Sequence, residues 1–239
     1  MKVLAFDTSS IATSVAICED GKLLGEVLLN TSLNHSVTLM PTIDFLMTQV
    51  GLKASDLDRI AVAQGPGSYT GLRIAVTAAK TLAWTLKIDL VGLSSLQAIA
   101  ARVKSEALVI PLMNARRGMV YAAVYEADKQ VVEDQHIALA LLLENLAQSY
   151  SDSEELVFTG EAEMFKDEIL ATFLGAKILD EAPENLPSAF EIARLSENLE
   201  PTTSVHDFNP IYLKKVEAEE KWEAASGLVA DDKDLVSRV

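Results

Sequence analysis

The chain has 239 residues, of which 49% are hydrophobic and 23% are charged, a balance typical of a globular protein with a sizeable core. Its 35 acidic and 20 basic side chains give a formal net charge of −15. Because a phosphate backbone is bound by clustered lysines and arginines, this charge argues against a nucleic-acid-binding surface.

The first half of the sequence predicts three strands followed by alternating helices and strands. Short β-branched apolar runs between polar turns are typical of strands, and apolar residues at helical spacing are typical of helices. These patterns predict strands at 3–6, 13–18, 23–29, 60–64 and 89–92, and helices at 36–50, at 72–86 and from residue 94. The first half therefore has the order βββαβαβα.

The predicted helix at 36–50 is apolar around much of its circumference. Met40 and Met47 lie on a face next to its main apolar stripe, so we expect that its own sheet does not cover all of it. Pro41 has no N–H group, and we expect it near the first turn, where that loss matters least. The stripe itself consists of Leu39, Ile43, Leu46 and Val50.

A glycine-rich segment, Gly65-Pro-Gly-Ser-Tyr-Thr-Gly71, precedes the predicted helix at 72–86. Its glycines permit positive φ and leave backbone N–H groups uncovered. Ser68 or Thr70 can cap the helix, whose N-terminal amides would point at whatever the segment holds. The glycine spacing matches neither a dinucleotide fingerprint nor a Walker loop. Taken alone, the segment is as typical of a tight turn as of an anion site.

The second half predicts the same order of elements as the first. Its patterns predict strands at 108–113, 119–125, 131–138, 156–159 and 177–179, and helices at 139–146, at 161–174 and from a capping box of Ser188 and Glu191. We interpret the repetition as an internal duplication, with one subdomain at 1–106 and a second at 107–216. The acidic residues 217–239 are predicted to be a partly ordered extension.

The cysteine content and the apolar runs predict a cytoplasmic protein. Cys18, the single cysteine, cannot form a disulfide within the chain, which is typical of a reducing compartment. Its place in an alternating apolar strand predicts a buried thiol rather than a nucleophile. The N-terminal apolar run meets Asp7 too soon for a signal peptide. No apolar run approaches the roughly 20 residues that a membrane span requires.

Two βββαβαβα units in tandem resemble the actin, hexokinase and Hsp70 superfamily, which has an α/β actin-like ATPase (ribonuclease H-like) fold. In that fold the first hairpin turn of each half meets nucleotide phosphates in the cleft between the halves. Here those turns are Asp7-Thr8-Ser9 and Asn114-Ala115-Arg116.

Five segments are more narrowly similar to the bacterial TsaB (YeaZ) family, and together they span the chain to about residue 216. The segment from Gly65 to Ile74 is the most specific of them. The five are Leu4-Ala-Phe-Asp-Thr-Ser9, His35-x-x-x-Leu39-Met-Pro41, Gly65-Pro-Gly-Ser-Tyr-Thr-Gly-Leu-Arg-Ile74, Asn114-Ala-Arg-x-Gly-x-Val-Tyr121 and Asn209-Pro-Ile-Tyr-Leu213.

The TsaB resemblance implies a noncatalytic scaffold or activator subunit for N6-threonylcarbamoyladenosine (t6A), a modification beside the anticodon of tRNAs that read codons beginning with A. It implies a heterodimer with the paralogous TsaD transferase, which uses threonylcarbamoyl-AMP supplied by TsaC. It also implies a ternary complex with the ATPase TsaE, and only indirect contact with tRNA. A homodimer through the helices predicted at 36–50 and 72–86 is an alternative state when the partner is absent.

The histidines favour the noncatalytic assignment. The resemblance places the two metal-binding histidines of TsaD at Ser95 and Ile99, which are no ligand pair. The histidines of this chain are His35, His136 and His206, which are scattered in sequence. For His35 we expect a capping or partly exposed role rather than a metal ligand. The sequence thus predicts no catalytic residue, no metal ligand and no cofactor.

Two departures from the family pattern weaken a magnesium–nucleotide site. Asn114 and Met119 stand where the family usually has Asp and Glu, and hard cations need carboxylate oxygens. Asp7 remains, but one acid in a hairpin turn is as typical of an Asx-turn. We therefore expect at most a vestigial nucleotide cleft, formed by Asp7, Thr8, Ser9, Gly65, Gly67 and Asn114.

Two other functions stay open beside the scaffold. A nucleotide-binding sensor or weak ATPase is compatible with the fold and with the glycine-rich segment. A glycoprotease-like hydrolase is disfavoured, because the sequence offers no recognisable Ser-His-Asp arrangement, HExxH motif or metal cluster.

The working surface of the scaffold is predicted on the helices at 36–50 and 72–86. Small residues let paired helices approach closely, and methionines provide an adaptable apolar surface. The alternative is that these faces simply bury against the sheet. The predicted interface residues are Met40, Ile43, Met47, Ala75, Ala78, Ala79 and Leu82.

Overall fold

The computed structural model describes residues 1–31, 34–150, 155–181 and 183–214. The predicted acidic extension at 217–239 therefore lies outside the described residues. Among the described helices, none is both long enough and apolar enough to cross a bilayer.

The elements follow the predicted order in both halves. The first half consists of β1 (Lys2–Asp7), β2 (Ala12–Glu19), β3 (Lys22–Asn30), α1 (His35–Gln49), β4 (Arg59–Gly65), α2 (Tyr69–Leu86), β5 (Asp89–Ser94) and α3 (Ser95–Ala100). The second half consists of β6 (Leu108–Arg116), β7 (Met119–Glu126), β8 (Lys129–Ala138), α4 (Leu139–Ser149), β9 (Leu156–Gly160), α5 (Lys166–Thr172), β10 (Lys177–Ile178) and α6 (Ala189–Ser196). Short 3₁₀ turns lie at Ala54–Asp56 and Ala162–Phe165.

Each half builds one five-stranded sheet with the same topology. The strand orders are β3-β2-β1-β4-β5 and β8-β7-β6-β9-β10. In both sheets the first three strands are antiparallel neighbours, and the last two run parallel to the first strand. The predicted βββαβαβα repeat is thus confirmed, and the first hairpin turns of the halves occupy equivalent places.

The helices form an outer layer on each sheet and one shared layer between the sheets. Successive side chains of a strand point to opposite faces. In β1, Leu4 and Phe6 accordingly join the core under α1 and α2, whereas Val3 and Ala5 join the core that contains α6. Helices α4 and α5 cover the outer face of the second sheet.

Each half contributes the helix that packs on the other half's sheet. Helix α3 of the first half packs on β6 and β7, and α6 of the second half packs on β1, β2 and β4. The core beneath α6 is rich in alanine and contains the buried Cys18, whose thiol pKa is raised by burial to about 12. Small side chains there let helix and sheet approach closely.

After α6 the chain returns to the first sheet as a segment that we call the strap, residues 201–214. Its Thr202 N–H donates to the Leu90 carbonyl at 2.8 Å, and its Ile211 N–H donates to the Gln64 carbonyl at 2.8 Å. Phe208 is buried in the core under α1 and α2. The strap therefore runs along β5 and β4 to the glycine-rich segment.

Three local features differ from the predictions. Helix α1 begins at His35 and is capped by Asn34, so that Pro41 lies in the second turn instead of the first. The helix predicted at 161–174 is split into the 3₁₀ turn and the shorter α5. Ser188 caps α6 as predicted, but the carboxylate of Glu191 pairs with Lys104 and Arg194 instead of closing the box.

A half-buried polar cluster around Glu26 ties the two halves together. The Glu26 carboxylate on β3 accepts hydrogen bonds from Arg102 Nη2 at 2.9 Å, after α3, and from Ser188 Oγ at 3.1 Å, before α6. The side chains of Glu26 and Arg102 are only 18% and 16% exposed. The residue that follows α3 and the residue that precedes α6 therefore meet at one carboxylate.

We predict that Glu26→Gln lowers the free energy of unfolding by roughly 1–3 kcal/mol, because it leaves the Arg102 guanidinium largely buried without a counter-charge. Urea denaturation followed by circular dichroism measures the change. Glu163→Gln is the matched control, since its ion pair with Lys166 is exposed and its loss should have no measurable effect. Equal effects of the two variants would contradict the role of Glu26.

Candidate functional site

A polar cleft of about 620 Å³ lies between the two halves. It is bordered by the first hairpin turn of each half, the N-terminal end of α2 and the end of the strap. In α/β folds, ligands bind at this edge of the sheet, outside the carboxyl ends of the parallel strands. Residues from these four stretches, together with His35 and Glu161, therefore converge on one cavity.

The glycine-rich segment is packed tightly against the rest of the chain. Gly65 has φ +132°, and a Cβ there would overlap the Ile211 carbonyl of the strap. A Cβ on Gly71 would overlap the carbonyl of Thr8, whose hydroxyl donates to the Gly71 carbonyl at 2.8 Å. Both glycines thus permit backbone-to-backbone contact within the protein. Ser68 is the N-cap of α2 and accepts from the Gly71 N–H.

Of the six residues predicted for a vestigial nucleotide cleft, three line the cleft: Ser9, Gly67 and Asn114. The other three, Asp7, Thr8 and Gly65, are buried behind it. Asp7 Oδ1 accepts from the Ser9 N–H at 2.6 Å, which is an Asx-turn. Burial raises the pKa of the Asp7 carboxyl to about 6, in spite of the hydrogen bond from Ser9.

The second hairpin turn uses its polar groups to fix its own backbone. Strand β6 continues to Arg116, and the Asn114 side chain accepts from the Arg116 N–H at 2.8 Å. The Asn114 N–H donates to the Glu161 carboxylate at 2.5 Å. Glu161 was not among the predicted site residues, although its position directly after β9 places it at the ligand-binding edge of the sheet. Arg116 and Lys214 bring positive charge to the same cleft.

His35 and the two positions aligned with the TsaD histidines, Ser95 and Ile99, do not come together as a metal site. Ser95 and Ile99 are buried in α3 between the sheets. The ring nitrogens of His35 lie 2.8 Å from Thr13 Oγ1 and 2.9 Å from the Ser10 carbonyl, so both are engaged in hydrogen bonds. His35 is partly exposed as predicted, while Asn34 provides the cap. Within the described ranges, no cluster of three or more His, Cys, Asp or Glu side chains could hold a metal ion.

A second cavity, which we call the α1–α2 groove, is an apolar trough of about 720 Å³ along the outer side of these helices. Met40, Ala78 and Leu82 of the predicted interface line it. The other four predicted interface residues, Ile43, Met47, Ala75 and Ala79, are buried in the core of the first half. A charge at those four positions would therefore disturb folding before it could report on binding.

Two tyrosines and an arginine connect the cleft with the α1–α2 groove. The ring of Tyr212 in the strap stacks on Tyr69 of α2, with 4.8 Å between the ring centroids. The Arg73 guanidinium lies over the Tyr69 ring, 4.4 Å from its centroid. Arg73 Nε also donates to Tyr212 Oη at 3.2 Å. Tyr69 and Thr70 line both cavities. The stacking of Tyr212 on Tyr69 therefore places the end of the strap at the boundary between the cleft and the groove.

The sequence is similar to proteins of threonylcarbamoyladenosine biosynthesis. Residues 23–222 match the family model "TsaD: tRNA N6-adenosine threonylcarbamoyltransferase". The tRNA threonylcarbamoyladenosine biosynthesis protein TsaB of Bacillus subtilis is 37% identical over 228 residues, which cover 93% of this chain and 98% of that protein. The TsaB protein of Escherichia coli is 28% identical, over 90% of this chain and 95% of its own length.

The structure is similar to YeaZ from Pseudomonas aeruginosa. The two superpose with a TM-score of 0.74 at 24% sequence identity, over 89% of this chain and 99% of that one. At this identity the likeness establishes the fold alone. It confirms the predicted α/β, actin-like ATPase fold.

We predict that Asp7 makes the protein less stable as the pH rises. Because its native pKa of about 6 lies above the ordinary value of 3.8, the folded state binds the proton more tightly, and this stabilisation is lost as the pH rises through 6. The unfolding free energy of the natural chain minus that of Asp7→Asn should fall by roughly 1–2 kcal/mol from pH 5 to pH 7.5. Urea denaturation at several pH values measures it. A pH-independent difference would contradict the buried carboxyl.

Proposed function

The chain belongs to the TsaB family of tRNA threonylcarbamoyladenosine biosynthesis proteins, and we propose that it acts there as a noncatalytic subunit that binds the TsaD transferase and activates it. The observation that carries this proposal is the α1–α2 groove. It is a largely apolar trough that the described part of the chain leaves uncovered. Contiguous apolar surface of this kind is typical of a protein-binding site.

The side chains of the groove are suited to receive helices. Met40 is 46% exposed at one wall, and its flexible thioether can adapt to a partner's surface. Ala78 is a small residue on α2 and lets a second helix approach closely. Val37 and Phe45 are further exposed apolar side chains of α1. A helical pair on the partner would bury the apolar residues of the groove together.

The polar cleft supports a noncatalytic role for the chain. The positions equivalent to the TsaD histidines are Ser95 and Ile99, and both are inside the core. Asp7 is buried, and Asn114 is engaged in its own hairpin turn. In this proposal the transfer from threonylcarbamoyl-AMP takes place on TsaD in the cytoplasm, TsaE joins the pair, and the acidic TsaB-like subunit meets tRNA only indirectly. A homodimer through the groove is a weaker alternative state when the partner is absent.

One observation favours nucleotide binding as a second candidate function. The N-terminal end of α2 borders the cleft together with Arg116 and Lys214, and a helix N-terminus with nearby cations attracts phosphate. The carboxylates that would hold Mg²⁺ beside it are absent at Asn114 and Met119.

We therefore predict that titration calorimetry of the purified chain with ATP or ADP and Mg²⁺ gives a dissociation constant of about 1 mM or weaker. A dissociation constant in the micromolar range would favour the nucleotide sensor over the scaffold.

We predict that Ala78→Glu weakens binding to TsaD, because it places a carboxylate in the apolar groove. The dissociation constant measured by calorimetry should rise by about a hundredfold, with a parallel loss of t6A in a reconstituted reaction. Leu174→Glu is the matched control, since Leu174 is exposed on the second half, far from the groove in the fold. Circular dichroism checks that both variants fold. Full affinity of Ala78→Glu would contradict the proposed function.

A further inference from the structure

The α1–α2 groove contains a single charged side chain among its lining residues, Arg73. Its guanidinium is held in place from two sides, by the face of the Tyr69 ring at 4.4 Å and by the Tyr212 hydroxyl at 3.2 Å. The hydrogen bond uses only the Nε–H group. A guanidinium has four further N–H donors, on Nη1 and Nη2, in a fixed planar fork.

No carboxylate of the described residues forms an ion pair with Arg73. Other lysines and arginines of the described residues also have no ion pair, but Arg73 is the one that lines an apolar groove. Helix α2 has Arg73 and Lys80 but no acidic residue, and α1 has Asp44 alone. The groove is therefore locally basic within an acidic protein.

From this geometry we propose, resting on the proposed function above, that the partner presents a carboxylate to Arg73 from an otherwise apolar helical surface. Covering an arginine with apolar groups alone would leave its charge desolvated and unpaired, which is unfavourable. A carboxylate accepts two parallel hydrogen bonds from the fork of N–H groups. The stacked tyrosines hold the fork in one orientation, so that little side-chain freedom is lost on binding.

The same charge pattern disfavours pairing of this surface with a second copy. In a two-fold symmetric dimer each groove meets its own equivalent. In such a dimer the facing α1 and α2 helices offer Arg73 no carboxylate other than Asp44. Like charges at an interface select against the wrong partner. Arg73 thus makes the groove selective for an acidic partner over a second copy.

The test measures binding of the full chain to the TsaD transferase by calorimetry at 50 mM and 500 mM NaCl. Arg73→Gln should raise the dissociation constant by about ten- to a hundredfold at low salt and should lose most of the salt dependence. Arg73→Lys keeps the charge but not the fork, and should recover part of the affinity. Lys22→Gln, an exposed cation on β3, is the matched control and should bind as the natural chain does. Thermal unfolding confirms that each variant is folded.

Three outcomes would overturn the inference. Full affinity and an unchanged salt dependence of Arg73→Gln, beside a loss of binding by Ala78→Glu, would mean that the groove docks the partner without a carboxylate. Stronger self-association of the natural chain than of Arg73→Gln would mean that a second copy supplies the acid.

The third concerns the acidic residues of the C-terminal segment, Glu217, Glu219, Glu220, Glu223, Asp231, Asp232 and Asp234. If replacing these residues by amides in the full chain abolishes the effect of Arg73→Gln, the C-terminal segment and not the partner supplies the carboxylate. If Ala78→Glu and Arg73→Gln both keep full affinity, the proposed function itself fails.

Discussion

The arrangement of both cavities, the cleft and the α1–α2 groove, depends on close backbone contact around the glycine-rich segment. Gly65 touches the strap, and Gly71 touches the first hairpin turn, at distances that leave no room for a Cβ atom. These contacts fix the N-terminal end of α2 between β1 and the strap. Because α2 borders the cleft with its first turn and the α1–α2 groove with its side, one set of contacts positions both cavities. Glycine is required here for packing within the chain.

The exchange of α3 and α6 explains how the halves form one body. Each of these helices is covered by strands of the opposite sheet, and the Glu26 cluster joins the ends of both. The inner face of the first sheet carries small side chains such as Ala5 and Ala16, which pack against Ala189 of α6, whereas the inner face of the second sheet carries larger ones such as Met113 and Tyr125.

The periodicity of the sequence predicted the elements well, because alternation and helical spacing are local properties. It could not separate the core side of α1 and α2 from the accessible side, since both sides carry apolar residues. Ile43, Met47, Ala75 and Ala79 belong to the core, and only Met40, Ala78 and Leu82 border the groove. The stacking of Tyr212 on Tyr69 joins residues far apart in sequence, and no local pattern predicts such a contact. The position of Pro41 was missed because Asn34, and not a later residue, caps the helix.

The two halves repeat the same topology, but their outer helices differ in length. Helices α1 and α2 have 15 and 18 residues, whereas their counterparts α4 and α5 have 11 and 7. A chain with two separate binding faces can grow into an open filament, because each copy can accept a neighbour on both sides. Here only the first half carries a long helical pair. In the proposed assembly the chain therefore offers one surface of this kind, and the addition of a single partner would close it.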